Sequence, residues 1–509
     1  MIPHPPFASQ LTLEEELVTF ERLKPRLTRV WDLLVADSSA ACTTVVVPSL
    51  TLEPEGLSKL EGAAFYEERL LYLLIRLRNP RAHVVYVTSQ PVHPMIVDYL
   101  LQLLPGVPAS HARSRLTMLS AYDASPRPLT EKILERPRLI ERIRCGIRDP
   151  GSAYLSVFNA TPLERRLAVL LGIPLNGVDP ALAFLGTKSG SRKVFREAEV
   201  PLPEGFEDLR EPREILDALG QLRRRRPAIR RAVIKQNDGF SGEGNAVFHY
   251  PASQGRGALE KALREIRCVA TGETVESFLA SFTREGGIVE EFVEGAELRS
   301  PSAQLRTGPH GEVIAISTHD QILGGESGQV FEGCRFPAED DYRVDVQTAG
   351  LRIGEVLARR GVVSRFGVDF MVARDGPADA WRTYAIEINL RLGGTTHPFL
   401  ALRFLTGGEL DVPTGQYLSA SGRPKFYRAT DNLQSPRYRG LLPEDLIEIL
   451  TINRLGFDQP REAGVLFHLI GAVSQYGKLG LTAVGNSHAE VDELYHRTLA
   501  VLDQETGYG

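Results

Sequence analysis

Leu13, Leu17, Phe20, Leu27, Val30, Trp31 and Leu34 recur at the three- and four-residue spacing of one helix face. Thr12 and Glu15 form a capping box that opens this helix, and Pro25 inside it predicts an interruption. Short β-branched runs follow at residues 43–47, 83–88 and 154–158, with helical stretches around Ala63–Arg78 and residues 94–104 between them. Strands alternating with helices predict a parallel α/β sheet for the first third of the chain.

From Gly186 to about Gly408 the pattern becomes mixed α+β, with strands predicted at 232–235, 288–293, 313–318, 367–373 and 384–389. A third region begins near Pro424. It carries strands at 465–470 and 479–484, then a Ser487/Glu490 capping box opening a helix with Val491, Leu494, Tyr495, Thr498, Val501 and Leu502 on one face. The expected organisation is therefore residues 1–185, an α/β unit; 186–423, a mixed core; and 424–509, a small α+β unit.

Composition narrows the function. The chain has 509 residues, long enough for two to four domains. Its net charge of −5 argues against a polycation for nucleic acid or acidic lipid. The tract 223–226 reads as a solvated helix end before Pro227. Cys42, Cys145, Cys268 and Cys334 stand far apart without a CxxC pair, which excludes a disulfide framework and a zinc ribbon. Residues 1–17 lack the basic and apolar pattern of a secretory leader, and no apolar run approaches the ~20 residues that span a bilayer. The expectation is a soluble cytoplasmic enzyme with no nucleic-acid or membrane partner.

Candidate chemistry sits in four places. A β-run ends in Lys235, followed by Gly239, Ser241, Gly242 and Gly244. A lysine leaving a strand can aim its ammonium at a phosphate, and glycines let backbone N–H groups approach phosphate oxygens. The loop is neither a Walker A loop nor a dinucleotide fingerprint, because it lacks GK[ST] and the third glycine spacing. In the run Tyr384-Ala-Ile-Glu-Ile-Asn-Leu-Arg, Glu387 and Asn389 alternate with apolar residues and so share a strand face. Asp369 lies on the preceding strand, and Asp375-Gly-Pro between the two signals a turn. If the strands pair, two carboxylates and an amide oxygen converge, a donor set suited to Mg²⁺. The run Gly287-Ile-Val-Glu-Glu-Phe-Val-Glu-Gly-Ala-Glu297 is an apolar strand with an acidic end, and Lys188 precedes a helix that ends near Pro201. Each of these features alone has an ordinary structural explanation.

Taken in order, they resemble the ATP-grasp superfamily over roughly Gly186 to Gly408. The stretch Ser317-Thr-His-Asp-Gln321, the Glu387–His397 run and the Gly-Lys-Leu-Gly-Leu-Thr-Ala-Val-Gly segment resemble the pheganomycin-type peptide ligases. This resemblance implies an ATP-grasp fold behind a Rossmann-like pre-ATP-grasp domain, with a small C-terminal domain. It implies Lys188 and Lys235 as phosphate contacts, Glu290 with the backbone of Glu291 and Val293 as the adenine hinge, and Glu297 at the ribose. It further implies Asp369, Glu387 and Asn389 as Mg²⁺ ligands and Arg391 at the reacting phosphoryl group. The implied reaction joins an amino-acid carboxylate to the amine of an amino acid or peptide through an acyl phosphate, with ATP consumed. A homodimer is among the assemblies it allows.

Where some small-substrate ligases carry an arginine two residues before the first metal aspartate, this chain has Gly367, which leaves that contact to Arg391 or Arg335. His319 is the candidate base for the amine. A carboxylate–thiol ligase, a small-molecule kinase and a non-catalytic nucleotide-binding scaffold remain open alternatives.

Overall fold

A computed structural model describes residues 11–52, 54–239, 244–253, 255–270, 272–324 and 330–507. The opening helix, Leu13–Ala36, is capped as expected by Thr12 and Glu15. It is not interrupted at Pro25: the helix runs through, with Phe20, Leu23 and Val30 buried on either side of the proline. Packing of that stripe on the sheet holds both halves in line against the lost backbone hydrogen bond.

The first third forms an all-parallel five-stranded sheet in spatial order Leu116–Ser120, Ala82–Thr88, Cys42–Val47, Ala153–Val157, Leu175–Asn176. Its central strands are buried on both faces, as the uninterrupted β-branched runs require. The predicted helix Ala63–Arg78 winds as a 3-10 helix rather than an α-helix.

The middle of the chain builds two sheets. One is a five-stranded antiparallel sheet in which Gly287–Glu291 lies between Gly205–Leu209 and Arg231–Gln236. It has its own apolar core, with Leu219, Ile234, Phe248, Phe278 and Phe282 fully buried. The other sheet is larger and holds Pro301–Thr307, Val313–Gly324, Ser364–Arg374 and Arg382–Asn389. Its strands share a core with the N-terminal sheet: Val45, Val85 and Leu155 belong to the same buried cluster as Phe366, Val368 and Ile388. The region after Pro424 is α+β as expected, but its strands are not a sheet of their own. Phe426–Gln434 pairs with Val330–Phe336, so Phe426–Gln434, Lys478–Gly485 and Gly464–His468 extend the large sheet. No described helix is long and apolar enough to cross a membrane.

Candidate active site

The strands Ser364–Arg374 and Arg382–Asn389 pair antiparallel with Asp369 directly opposite Glu387 and Gly367 opposite Asn389. The ladder shifts register just after Asp369. Asp369 Oδ2 accepts from Asn389 Nδ2 at 2.9 Å and its Oδ1 accepts from Gln321 Nε2 at 2.7 Å. The three oxygen-bearing groups expected to converge do so. Burial, together with the Glu387 charge beside it, pushes the Asp369 carboxyl up to about 7. Burial acts on Glu387 in the same sense, but the Lys188 ammonium outweighs it, aided by Arg391 and Lys235, and holds that carboxyl below its usual range.

Lys188 stands at the first turn of the helix Lys188–Glu197, capped by Thr187. Its Nζ lies 2.7 Å from Glu387 Oε1. The helix start is pressed against the preceding segment at Gly190, where a Cβ would sit 1.9 Å from the Phe184 carbonyl oxygen. Ser189 N donates to Asn237 Oδ1 and Lys188 N to the Asn237 carbonyl, which ties this helix to the end of the Lys235 strand.

On the antiparallel sheet, Lys235 faces Ile288 in register, and its Nζ lies 2.6 Å from Glu290 Oε1. Arg192 Nη1 donates to the other oxygen of Glu290 at 2.7 Å. The Glu290 carboxylate is thus enclosed by two cations and only 2% exposed. The Glu290 side chain, expected at an adenine hinge, holds Lys235 and Arg192. The Glu291 amide donates to the Glu204 carbonyl at 2.8 Å and is not free for an adenine. Val293 follows the strand end and is partly exposed. Glu297 faces Arg374 in register, and Arg374 Nη2 donates to Glu297 Oε2 at 2.8 Å, which lowers that carboxyl. Gly239 and Gly244 flank the glycine loop. Gly244 takes a left-handed φ of 77° and its carbonyl accepts from Gln236 N at 2.8 Å. Ser241 and Gly242 lie outside the described residues.

Arg391 follows Asn389 and lines a cavity of about 440 Å³ that reaches the N-terminal sheet. Burial lowers its guanidinium, with Glu387 and Asp369 opposing that effect. Arg335 is elsewhere: it pairs with Asp492 of the C-terminal helix, which Arg428 also holds at 3.0 Å.

His319 brings a correction. Its strand runs to Gly324, past the predicted end at 318, so the imidazole sits within the sheet and not at its edge. It is fully buried beside Phe336 and Tyr427, with Nε2 hydrogen-bonded to the Tyr427 hydroxyl and Nδ1 unpartnered. Burial pushes it down to about 3, which removes it as a base near neutral pH. His397 lies in the first turn of the helix Thr396–Thr406. Its Nε2 lies 2.9 Å from His468 Nε2 and 3.0 Å from Asp431 Oδ1. Arg69 Nη1, 3.2 Å from the other Asp431 oxygen, already balances that carboxylate.

Sequence reasoning assigned no role to Arg192 or Gln321. Gln321 had a signal, since it lies two residues from His319 and shares its strand face with it. Arg192 had none beyond its place on the helix after Lys188.

Comparison with known proteins agrees with this arrangement. A family model described as IQCH-like, ATP-grasp matches residues 180–255 and 257–413, and the PGM1 C-terminal domain model matches 445–498. L-propargylglycine–L-glutamate ligase of Streptantibioticus cattleyicolor is 30% identical over 469 residues, covering 90% of this chain and 94% of the relative. IQ motif-containing protein H of Danio rerio is 25% identical, covering 92% of this chain but 49% of its own length. This chain thus spans about half of that relative. Among solved structures, biotin carboxylase from Campylobacter jejuni superposes with a TM-score of 0.54 at 13% identity, covering 91% of this chain and 92% of that one. An N5-carboxyaminoimidazole ribonucleotide synthetase in complex with ADP gives 0.51 at 11%, covering 92% and 97%. These distant likenesses show the fold alone. The paired strands, the lysine positions and the near full-length relative together make this chain a member of the ATP-grasp superfamily, in the family of carboxylate–amine ligases.

Proposed function

We propose that this enzyme activates the carboxylate of one small substrate with ATP and joins it to the amine of another, through an acyl phosphate, releasing ADP and phosphate. Amino acids or short peptides are the proposed substrates, as the name of the 30%-identical ligase suggests for its own reaction. The observation that carries the reading is the convergence of Asp369, Glu387, Asn389, Lys188 and Arg391 at the end of one strand pair.

An anionic carboxylate and an anionic triphosphate repel, so the site has to supply positive charge where they meet. Lys188 and Lys235 are the proposed phosphate contacts; Lys188 is held by the half-buried Glu387 and Lys235 by the buried Glu290. Arg391 supplies a planar fork for the reacting carboxylate or the transferred phosphoryl group. Asp369, Glu387 and Asn389 fit Mg²⁺, because two carboxylates stand opposite each other on paired strands with an amide beside them, and each side chain carries a hard oxygen donor. When bound there, Mg²⁺ would neutralise charge on the phosphate oxygens. His319 is not available to accept the amine proton. The three sequence units 1–185, 186–423 and 424–509 are retained as the proposed domain organisation, and a homodimer as the proposed assembly.

The test is product analysis with ¹⁸O-labelled carboxylate substrate and an amine. ADP, with one ¹⁸O carried into the released phosphate, is expected only when both substrates are present. AMP and pyrophosphate would overturn the acyl phosphate. ADP release driven by coenzyme A or by a polyol, with no amine needed, would move the enzyme to another ATP-grasp reaction.

A further inference from the structure

Arg306 and Arg365 stand directly opposite each other on the antiparallel strands Pro301–Thr307 and Ser364–Arg374. Residues so paired share a face of the sheet, and like charges in that position destabilise it. Neither has a salt bridge to a carboxylate among the described residues, although the Glu312 charge acts on Arg306 from a distance. Arg306 reaches Asn176 Oδ1 only at 3.5 Å, stacks on Trp31 at 4.0 Å, and leaves its Nε buried without a partner. Burial pushes Arg306 down to about 9 and Arg365 to about 10, with Arg76 adding to both and Arg365 adding to Arg306. Both line the cavity that Arg391 enters from the strand pair. Six arginines line this cavity against one carboxylate, Glu409. In a chain of net charge −5 that concentration is local. Tyr72, Tyr154, Asn159 and Asn176 add neutral hydrogen-bonding groups to the same walls.

A cross-strand pair of uncompensated guanidinium groups costs stability in the free protein, and that cost is offset when an anion arrives between them. The cavity volume of about 440 Å³ suits a small molecule. Two guanidinium forks side by side match the oxygens of a carboxylate. Arg391 lines the same cavity, and the charges of Glu387 and Asp369 act on it.

We propose that Arg306 and Arg365 form the specificity site for a second carboxylate on the activated substrate, so that the enzyme takes a dicarboxylic acid, its reacting carboxylate at Arg391 and its other one at the arginine pair. This rests on the ligase reading of the site. Binding is tested by calorimetry and thermal unfolding of the full chain with no ATP present, and a separate ligation assay with ATP and an amine tests the reading it rests on. The probes are glutarate and L-glutamate, their monoamides glutaramate and L-glutamine, and inorganic phosphate. The dicarboxylates are expected to bind at least tenfold more tightly than the monoamides. Arg306→Gln or Arg365→Gln should abolish that preference by weakening dicarboxylate binding at least tenfold. Both variants should unfold at the same temperature as the parent or higher, because a repulsion is removed. Arg365→Lys, which keeps the charge but loses the fork, should lie between. A lowered unfolding temperature with the preference intact would make the arginines structural and overturn the proposal. Phosphate binding as tightly as the dicarboxylates would overturn the dicarboxylate assignment in favour of a phosphorylated substrate. Discrimination among the probes with no ligation of any amine would sink the ligase reading alone. Ligation of monocarboxylates without discrimination would sink this proposal alone.

Discussion

Lys188 Nζ and Glu387 Oε1 lie 2.7 Å apart although 199 residues separate them in sequence. The pair joins the start of a helix to the far end of the strand that carries the proposed metal donors, so the proposed phosphate contact and the proposed metal donors are positioned by one interaction. Lys188→Met and Glu387→Gln should each lower turnover at least 100-fold. Circular dichroism and the unfolding midpoint report whether the fold is kept. Turnover within threefold of the parent in both variants would remove these residues from the mechanism.

Glu290 presents a different expectation, because its carboxylate is enclosed by Lys235 and Arg192. Removing one partner from a buried ionic cluster leaves uncompensated charge. Glu290→Ala should cost about 3–5 kcal/mol of stability in urea unfolding. Glu290→Gln should cost less, since the amide oxygen still accepts from one cation. A change below about 1 kcal/mol for the alanine variant would mean that water reaches these cations freely.

Gly190 sets the path of the Lys188 helix. A methyl group there would lie 1.9 Å from the Phe184 carbonyl oxygen, which is backbone and cannot swing away. Gly190→Ala should destabilise the chain by roughly 1–3 kcal/mol and displace the helix start. Activity is therefore expected to fall further than the loss of folded protein accounts for. Measuring turnover per folded molecule separates the two effects.

The pH dependence of stability follows from His319. Its folded value, pushed down to about 3 by burial, lies below the ordinary 6.5. Below 6.5 the unfolded chain takes up a proton that the folded chain refuses. Stability is therefore full above 6.5 and falls as pH drops toward 3, by up to roughly 1.4 kcal/mol per unit. His397, pushed down to about 4 by burial against the opposing charge of Asp431, acts in the same direction. His319→Gln should flatten the acid limb of an unfolding-midpoint series from pH 7 to 4.5. An unchanged slope would show that the imidazole does not titrate on unfolding as its burial requires.

The pairing of Asp369 with Glu387 was legible in the chain itself. Two alternating runs joined by a turn signal have little choice of register, because a one-residue slip would put Val368 and Ile388 into solvent. The parallel N-terminal sheet and the capped first helix were legible for the same reason: local periodicity records which face of an element is buried. What lay beyond it was everything decided between distant elements. Pro25 predicted a break that packing overrode. His319 read as a candidate base until five further residues of strand, Asp320 to Gly324, and the ring of Tyr427 enclosed it. The arginine pair was invisible, since Arg306 and Arg365 are 59 positions apart and meet only because their strands lie side by side. Side-chain alternation follows from the backbone's own geometry and is written along the chain, whereas charge, burial and pKa depend on which surfaces the completed core brings together.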